Sequence, residues 1–224
     1  MNTFSIGDIH GNIKALKEVL LKAPISKDDR IIFLGDYGDG FEGTSDVVDK
    51  LLEMRKEYEC IFLQGNHDYW IRNWINTGLR SFLWTEQGGN ATIDSYRESG
   101  KMMEKEHQLF WNELKHYYIS EIKDLFVHGG WDGQTPFLKA AKLRMSNGHL
   151  DIHWSRSLIE SIINTKYTSE FKNIFIGHTA TRDALPFFNQ NIIDLDTGAG
   201  WAGKLTIMNV ETKEYWQSSK NNKI

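Results

Sequence analysis

Gly7-Asp8-Ile9-His10-Gly11, Gly35-Asp36-Tyr37-Gly38-Asp39-Gly40 and Gly65-Asn66-His67-Asp68 are three short polar segments, each directly behind an apolar run. Those runs are Thr3 to Ile6, Ile31 to Leu34 and Cys60 to Leu63. Short continuous apolar runs ending at glycine read as strands buried on both faces. Between them, Ile13, Leu16, Leu20 and Ala23 recur at helical spacing, as do Val47, Val48, Leu51, Leu52 and Met54. Gly7, Gly35 and Gly65 stand 28 and 30 positions apart, close to the length of one strand–helix–strand unit. The first third therefore reads as parallel strands with right-handed crossovers, which puts all three polar segments at one sheet edge.

The pattern recurs further on. Leu125-Phe126-Val127 leads into His128-Gly129-Gly130, and Ile174-Phe175-Ile176 leads into Gly177-His178-Thr179. After His178, Ile192-Ile193, Leu205 to Met208 and Tyr215-Trp216 alternate around glycine-rich turns, which suggests antiparallel strands completing a second sheet. The fold class expected is α/β: a two-sheet β-sandwich of mixed strands flanked by helices, four layers deep. One domain over 1–224 is expected, with a helical insertion at about 79–124 that includes an amphipathic helix near Met102 to Tyr117. Trp70, Trp74 and Trp84 cluster behind the third motif and are expected to serve packing rather than a wall of the cleft.

Composition narrows the function classes. The chain has 224 residues, 40% apolar and 25% charged, with 19 Gly and 3 Pro, which fits an ordinary globular protein rather than a collagen-like or disordered one. Twenty-six basic against 30 acidic residues give a net charge of −4, and no run of like charge suggests a nucleic-acid polymer or a membrane surface as partner. The single cysteine, Cys60, has no internal disulfide partner. No apolar stretch approaches the roughly 18 residues of a membrane span, so a cytoplasmic setting is expected.

Asp8, His10, Asp36, Asn66, His128 and His178 supply oxygen and nitrogen donors without thiolates, a set suited to manganese first, and also to iron or zinc. They are too many for one ion. If Asp36 bridges, Asp8, His10 and Asp36 hold one metal, and Asp36, Asn66, His128 and His178 the other. Two such ions clamp a phosphate and activate a shared water, so phosphoester hydrolysis is the implied reaction. His107, His116, His149 and His153 carry no comparable signal and are expected to be surface or satisfied core residues.

The five motifs in this order resemble the calcineurin-like metallophosphoesterases, specifically the phosphoprotein phosphatase branch. They are most similar to the bacterial and bacteriophage-type serine/threonine protein phosphatases and next to the symmetrical diadenosine tetraphosphate hydrolases. Ile193 to Gly200, followed by Gly203-Lys204-Leu205-Thr206, looks like that family's closing strands. The resemblance implies the same metal assignment and a metal-bridging hydroxide as nucleophile. It also implies that His67 is the acid protonating the leaving oxygen, held by Asp39. The family usually carries arginine where this chain has Gly40. Arg156 resembles the second phosphate-binding arginine, Arg72 is a candidate replacement for the first, and Asn66 faces the phosphate as well as a metal. The substrate implied is a phosphorylated protein or small phosphoester, with a dinucleotide as the alternative. A non-catalytic binding module rests on Gly40 alone.

Overall fold

The computed structural model describes residues 1–162 and 170–221. In chain order the strands are β1 (Thr3–Ile6), β2 (Arg30–Phe33), β3 (Glu59–Phe62), β4 (Tyr117–Ile119), β5 (Leu125–Val127), β6 (Ile174–Ile176), β7 (Phe187–Asn189), β8 (Ile192–Asp194), β9 (Thr206–Asn209) and β10 (Tyr215–Gln217). The helices are α1 (Ile13–Lys22), α2 (Thr44–Glu57), α3 (Asn66–Thr77), α4 (Phe82–Trp84), α5 (Asn90–Ser99), α6 (Lys105–Asn112), α7 (Phe137–Ala140) and α8 (Ser157–Ile162). Among the described residues the strands form two five-stranded sheets, ordered β10-β9-β1-β2-β3 and β4-β5-β6-β8-β7.

Why the apolar runs are continuous is visible in the strand registers. In β2, Ile31 and Phe33 face the layer of α1, α2, α3, α5 and α6, while Ile32, and Leu34 just beyond the strand, face the other sheet. In β5, Leu125 and Val127 face the outer layer that holds Leu158, while Phe126 stacks on Phe175 between the sheets at 4.8 Å and 9°. Both faces are buried, so neither alternates with polar residues. The four-layer α/β/β/α sandwich follows.

β1, β2 and β3 are parallel, in the register Phe4 to Ile31 to Cys60, as the crossover spacing requires. In the second sheet β5, β6 and β8 are likewise parallel. The carboxyl ends of these strands therefore meet at one rim, with α1 capped there by the Asn12 side chain, which accepts from the Ala15 amide.

Two expectations are corrected. The late strands do not all complete the second sheet: β8 enters it in parallel with β6, whereas β9 pairs antiparallel with β1 and carries β10 with it into the first sheet. The expected helix over Met102 to Tyr117 is also shorter. After a 3-10 turn at 101–103, α6 ends at Asn112, because the Lys115 amide donates to the Phe62 carbonyl and the Lys115 carbonyl accepts from Gln64. The chain leaves the helix there to continue β3's edge, and β4 follows in the second sheet.

Phe126 is fully buried between the sheets. Phe126→Ala is expected to lower unfolding stability by about 3–5 kcal/mol, read as a drop in the urea midpoint. A loss below about 1 kcal/mol would show that the two sheets are not held by this layer.

Candidate metal centre

Asp8 follows β1, Asp36 follows β2, Asn66 opens α3 behind β3, His128 follows β5 and His178 follows β6. All are buried, and so is His10. Several bend the backbone to get there: His10, Asp36, Asp39 and His178 have φ of 51°, 53°, 67° and 71°, a left-handed region that such residues seldom occupy. Strain of this kind persists only where the surroundings enforce it, and it concentrates at functional positions.

The donors converge in two groups. His10, Asp36 and His67 bring ligand atoms within 4.8 Å of one another, and so do Asp36, His128 and His178. Asp36 belongs to both. Its Oδ2 lies 3.7 Å from His10 Nε2 and 3.4 Å from His128 Nε2, and its Oδ1 accepts from the His67 amide at 3.0 Å. Asp8 stands beside the first group, with Oδ2 4.0 Å from His10 Nε2 and both oxygens facing the His178 amide. Asn66 Oδ1 is 3.0 Å from His128 Nε2.

The imidazoles are oriented as metal ligands need to be. A carbonyl oxygen only accepts, so His10 Nδ1 donates to Gly38, His128 Nδ1 to Leu34 and His178 Nε2 to Trp154, at 3.1, 2.9 and 3.0 Å. Each ring then keeps its other nitrogen for the cluster. Burial holds His10 down at about 4, and burial, with His128 and Arg156 nearby, holds His178 at about 3, so both are neutral lone-pair donors at neutral pH. His128 Nε2 faces two oxygens, Asn66 Oδ1 and Asp36 Oδ2; only a proton or a cation makes that arrangement attractive.

Charge gives a second test of fit. Asp8, Asp36, Asp194 and Asp196 are all buried at this rim. Burial, then Asp196 and Asp36, drives the Asp8 carboxyl well above its ordinary range; burial, opposed by the Gly198 amide, leaves Asp196 at about 6. Asp36 is buried too, yet His128 and His67 hold it well below the usual carboxylate range. Uncompensated buried carboxylates cost several kcal/mol each, and divalent cations supply the missing charge. The donor set and its electrostatics therefore fit a pair of hard or borderline ions sharing Asp36.

His67 sits differently from the other rings. Its Nδ1 donates to Asp39 Oδ2 at 2.7 Å, which leaves Nε2 unused by Asp39, and its ring lies edge-on to His10 at 5.0 Å. Burial opposes its protonation, but Asp36 and the bond to Asp39 raise it to about 9. Its ring packs edge-on against Trp70 at 5.4 Å.

The arginines divide. Arg156 is exposed in the loop before α8, close enough for its charge to depress His178 and Asp196. Arg72 is turned elsewhere: it donates to Gln64 Oε1 at 2.9 Å and lies over the Tyr69 ring at 5.5 Å. Gly40, where the resemblance leads one to expect arginine, has φ of 87°, and a Cβ there would sit 3.2 Å from the Gly200 carbonyl and 3.3 Å from His10 Cβ. This backbone favours glycine.

Sequence reasoning gave no role to Asp68, although it ends the third motif. Fully buried, it accepts from the amides of Asp36, Tyr37 and Gly65 at 2.8, 2.9 and 2.7 Å, and so ties the loop after β2 to the start of α3. Burial and the neighbouring Asp36 raise it to about 7. Thr92, buried and bonded to Asp39, has no role in that reading either, and Trp84, expected to serve packing, also donates to Asp39. Trp74 and Trp84 do pack together, at 5.6 Å. Of the remaining histidines, His107 is buried and satisfied by Tyr96 and Asp49, His116 is exposed, and His149 and His153 are each left with one buried, unbonded ring nitrogen. No helix among the described residues is long and apolar enough to cross a membrane.

The family model for calcineurin-like phosphoesterases matches residues 1–199. Among curated proteins, the asymmetrical bis(5'-nucleosyl)-tetraphosphatase PrpE of Oceanobacillus iheyensis is 22% identical over 231 residues, covering 94% of this chain and 89% of the relative. Among solved structures, one provisionally assigned as a diadenosine tetraphosphatase superposes with a TM-score of 0.69 at 14% identity, over 99% of this chain and 94% of that one. A serine/threonine protein phosphatase from Saccharomyces cerevisiae superposes at 0.59 with 14% identity, over 100% of this chain and 82% of that one.

Space around the carboxylates is tight. A Cβ on Gly177 would fall 2.1 Å from Asp8 Oδ1, and one on Gly65 would fall 2.0 Å from Asp36 Oδ1. Gly177→Ala and Gly65→Ala are each expected to weaken manganese binding by about 10-fold or more, measured by calorimetric titration of metal-stripped protein. Unchanged affinity in both would show that these carboxylates do not hold the ions.

Proposed function

The chain belongs to the calcineurin-like phosphoesterase family and is a metal-dependent phosphoric ester hydrolase; from that premise we propose that it hydrolyses phosphomonoesters at a dinuclear centre, in the manner of a serine/threonine protein phosphatase. This reading takes 1–224 as one catalytic domain with a helical insertion at about 79–124, working on a phosphorylated protein or small phosphoester. Asp8, His10 and Asp36 hold one ion, and Asp36, Asn66, His128 and His178 the other, with manganese preferred. When bound, the ions supply Lewis acidity to the phosphoryl oxygens and lower the pKa of water at the site.

The protein's own groups do the rest. Arg156 brings positive charge to the His178 side of the centre, where the phosphoryl oxygens are to be bound, and Asn66 faces the same space. Asp39 fixes the His67 ring through Nδ1, and the free Nε2 delivers a proton to the departing oxygen. Arg72 takes no part in this reading, because Gln64 and Tyr69 engage it.

The observation that carries the monoester reading is the 2.7 Å contact between His67 and Asp39. A serine or threonine alkoxide is a poor leaving group and needs a positioned acid, whereas a nucleotide phosphate departs from an anhydride as a stable anion. A second reading, hydrolysis of a dinucleoside tetraphosphate, is favoured by the PrpE relative, which matches along most of both chains.

Metal-stripped protein reconstituted with manganese, assayed in parallel on a phosphoserine peptide and diadenosine tetraphosphate, separates the two. Higher kcat/KM on the peptide is expected; preference for the dinucleotide transfers the conclusion to the second reading. Asp36→Asn and His128→Ala are expected to abolish metal-dependent hydrolysis of either substrate. His67→Asn is expected to keep both ions and lose about 10²- to 10⁴-fold in kcat on the peptide. A His67→Asn protein that loses metal but keeps its rate per metal would make His67 a ligand instead.

A further inference from the structure

Asp39 is a fully buried carboxylate whose two oxygens are both spoken for. Oδ2 accepts from His67 Nδ1 at 2.7 Å and from Trp84 Nε1 at 2.8 Å; Oδ1 accepts from Thr92 Oγ1 at 2.7 Å. The Thr92 hydroxyl has one proton, which goes to Asp39. It must therefore act as acceptor towards the Asp39 amide at 2.8 Å and the Thr44 hydroxyl at 3.1 Å. The carboxylate plane is thus fixed from two directions before His67 is considered.

Trp84 and Thr92 come from the helical segment between the third and fourth motifs, Trp84 from α4 and Thr92 from α5. The link between them is shaped to reach Asp39. Gly88 has φ of 99°, and a Cβ there would lie 2.8 Å from the Gly40 amide and 3.5 Å from Asp39 Cβ. A Cβ on Gly89 would strike the Trp84 ring at 2.5 Å. The segment therefore closes over Asp39 and Gly40, with the indole nitrogen, the only polar atom of Trp84's side chain, aimed at the carboxylate. A buried indole N–H needs a partner, but many acceptors would serve; this one chooses the group that orients the His67 ring.

We propose that Trp84 and Thr92 are positioning residues for the proton-donating His67, which makes the α4–α5 segment part of the catalytic apparatus. They act through Asp39: with its oxygens held, the His67 ring has one orientation, Nδ1 on the carboxylate and Nε2 left to carry the proton. Without them the carboxylate rotates, and the proton is delivered off line. This rests on His67 acting as the acid.

The test compares leaving groups in the manganese-loaded full chain. 2,4-Dinitrophenyl phosphate releases a phenolate that needs no proton, whereas phenyl phosphate releases one that does. Trp84→Phe and Thr92→Val are expected to lower kcat on phenyl phosphate by about 10-fold or more while leaving kcat on the dinitrophenyl ester, both KM values and the metal content close to wild type. Thr92→Ser, which keeps the hydroxyl, is expected to restore the rate. In metal-free protein, the downfield Nδ1–H proton resonance of His67, identified by its loss in His67→Asn, is expected to weaken in both damaging variants. Equal losses on the two esters, or full activity in Trp84→Phe and Thr92→Val, would overturn the proposal; Thr92→Val keeps the test open if Trp84→Phe fails to fold. His67→Asn belongs in the same series. If it too fails to distinguish the esters, the acid role of His67 falls; if it does and the Trp84 and Thr92 variants do not, only the positioning role falls.

Discussion

The Asp36 carboxylate is held at the end of β2 with one oxygen between His10 and His128 and the other on the His67 amide. Taking such a charge out of water costs several kcal/mol unless other charges answer it. Much of the rim is arranged around that requirement. His10, His128 and His178 each give up one ring N–H to a main-chain carbonyl so that the other nitrogen turns inward, and Asp68 pins the amides that shape the Asp36 loop. The two sheets are packed so that strands from both deliver donors to the same few ångströms, which explains why the interface layer of Ile32, Leu34, Phe126 and Phe175 is completely buried.

A similar economy governs the acid side. Gly88 approaches Gly40 and Asp39 so closely that a Cβ at position 88 would lie 2.8 Å from the Gly40 amide, whereas a Cβ at position 40 would meet Gly200 and His10. On the proposed reading, with glycine at position 40, binding of a phosphoryl group rests on the ions and on Arg156.

Much of this was legible in the sequence, for a physical reason. Parallel strands buried on both faces leave uninterrupted apolar runs, and their polar ends mark one edge, so the convergence of Asp8, His10, Asp36, Asn66, His128 and His178 is anticipated by position alone. What failed depended on long-range partners. Thr206–Asn209 is buried throughout and carries no mark saying that it pairs with β1 rather than with the second sheet. The end of α6 is set by Lys115 bonding beside β3, which no helix periodicity encodes. Trp84 reads as a packing residue and Thr92 carries no signal at all, because their bonds to Asp39 span 45 and 53 positions. Arg72 has the right chemistry for phosphate, and in the structure its guanidinium rests on Gln64, a contact that its residue type alone does not reveal.

Whether two ions share Asp36 is the claim on which the account stands. Electron paramagnetic resonance of the manganese-titrated protein addresses it directly. The account predicts two ions per chain and an exchange-coupled spectrum that Asp36→Asn abolishes. One ion per chain, or two with the spectrum of isolated manganese, would contradict it.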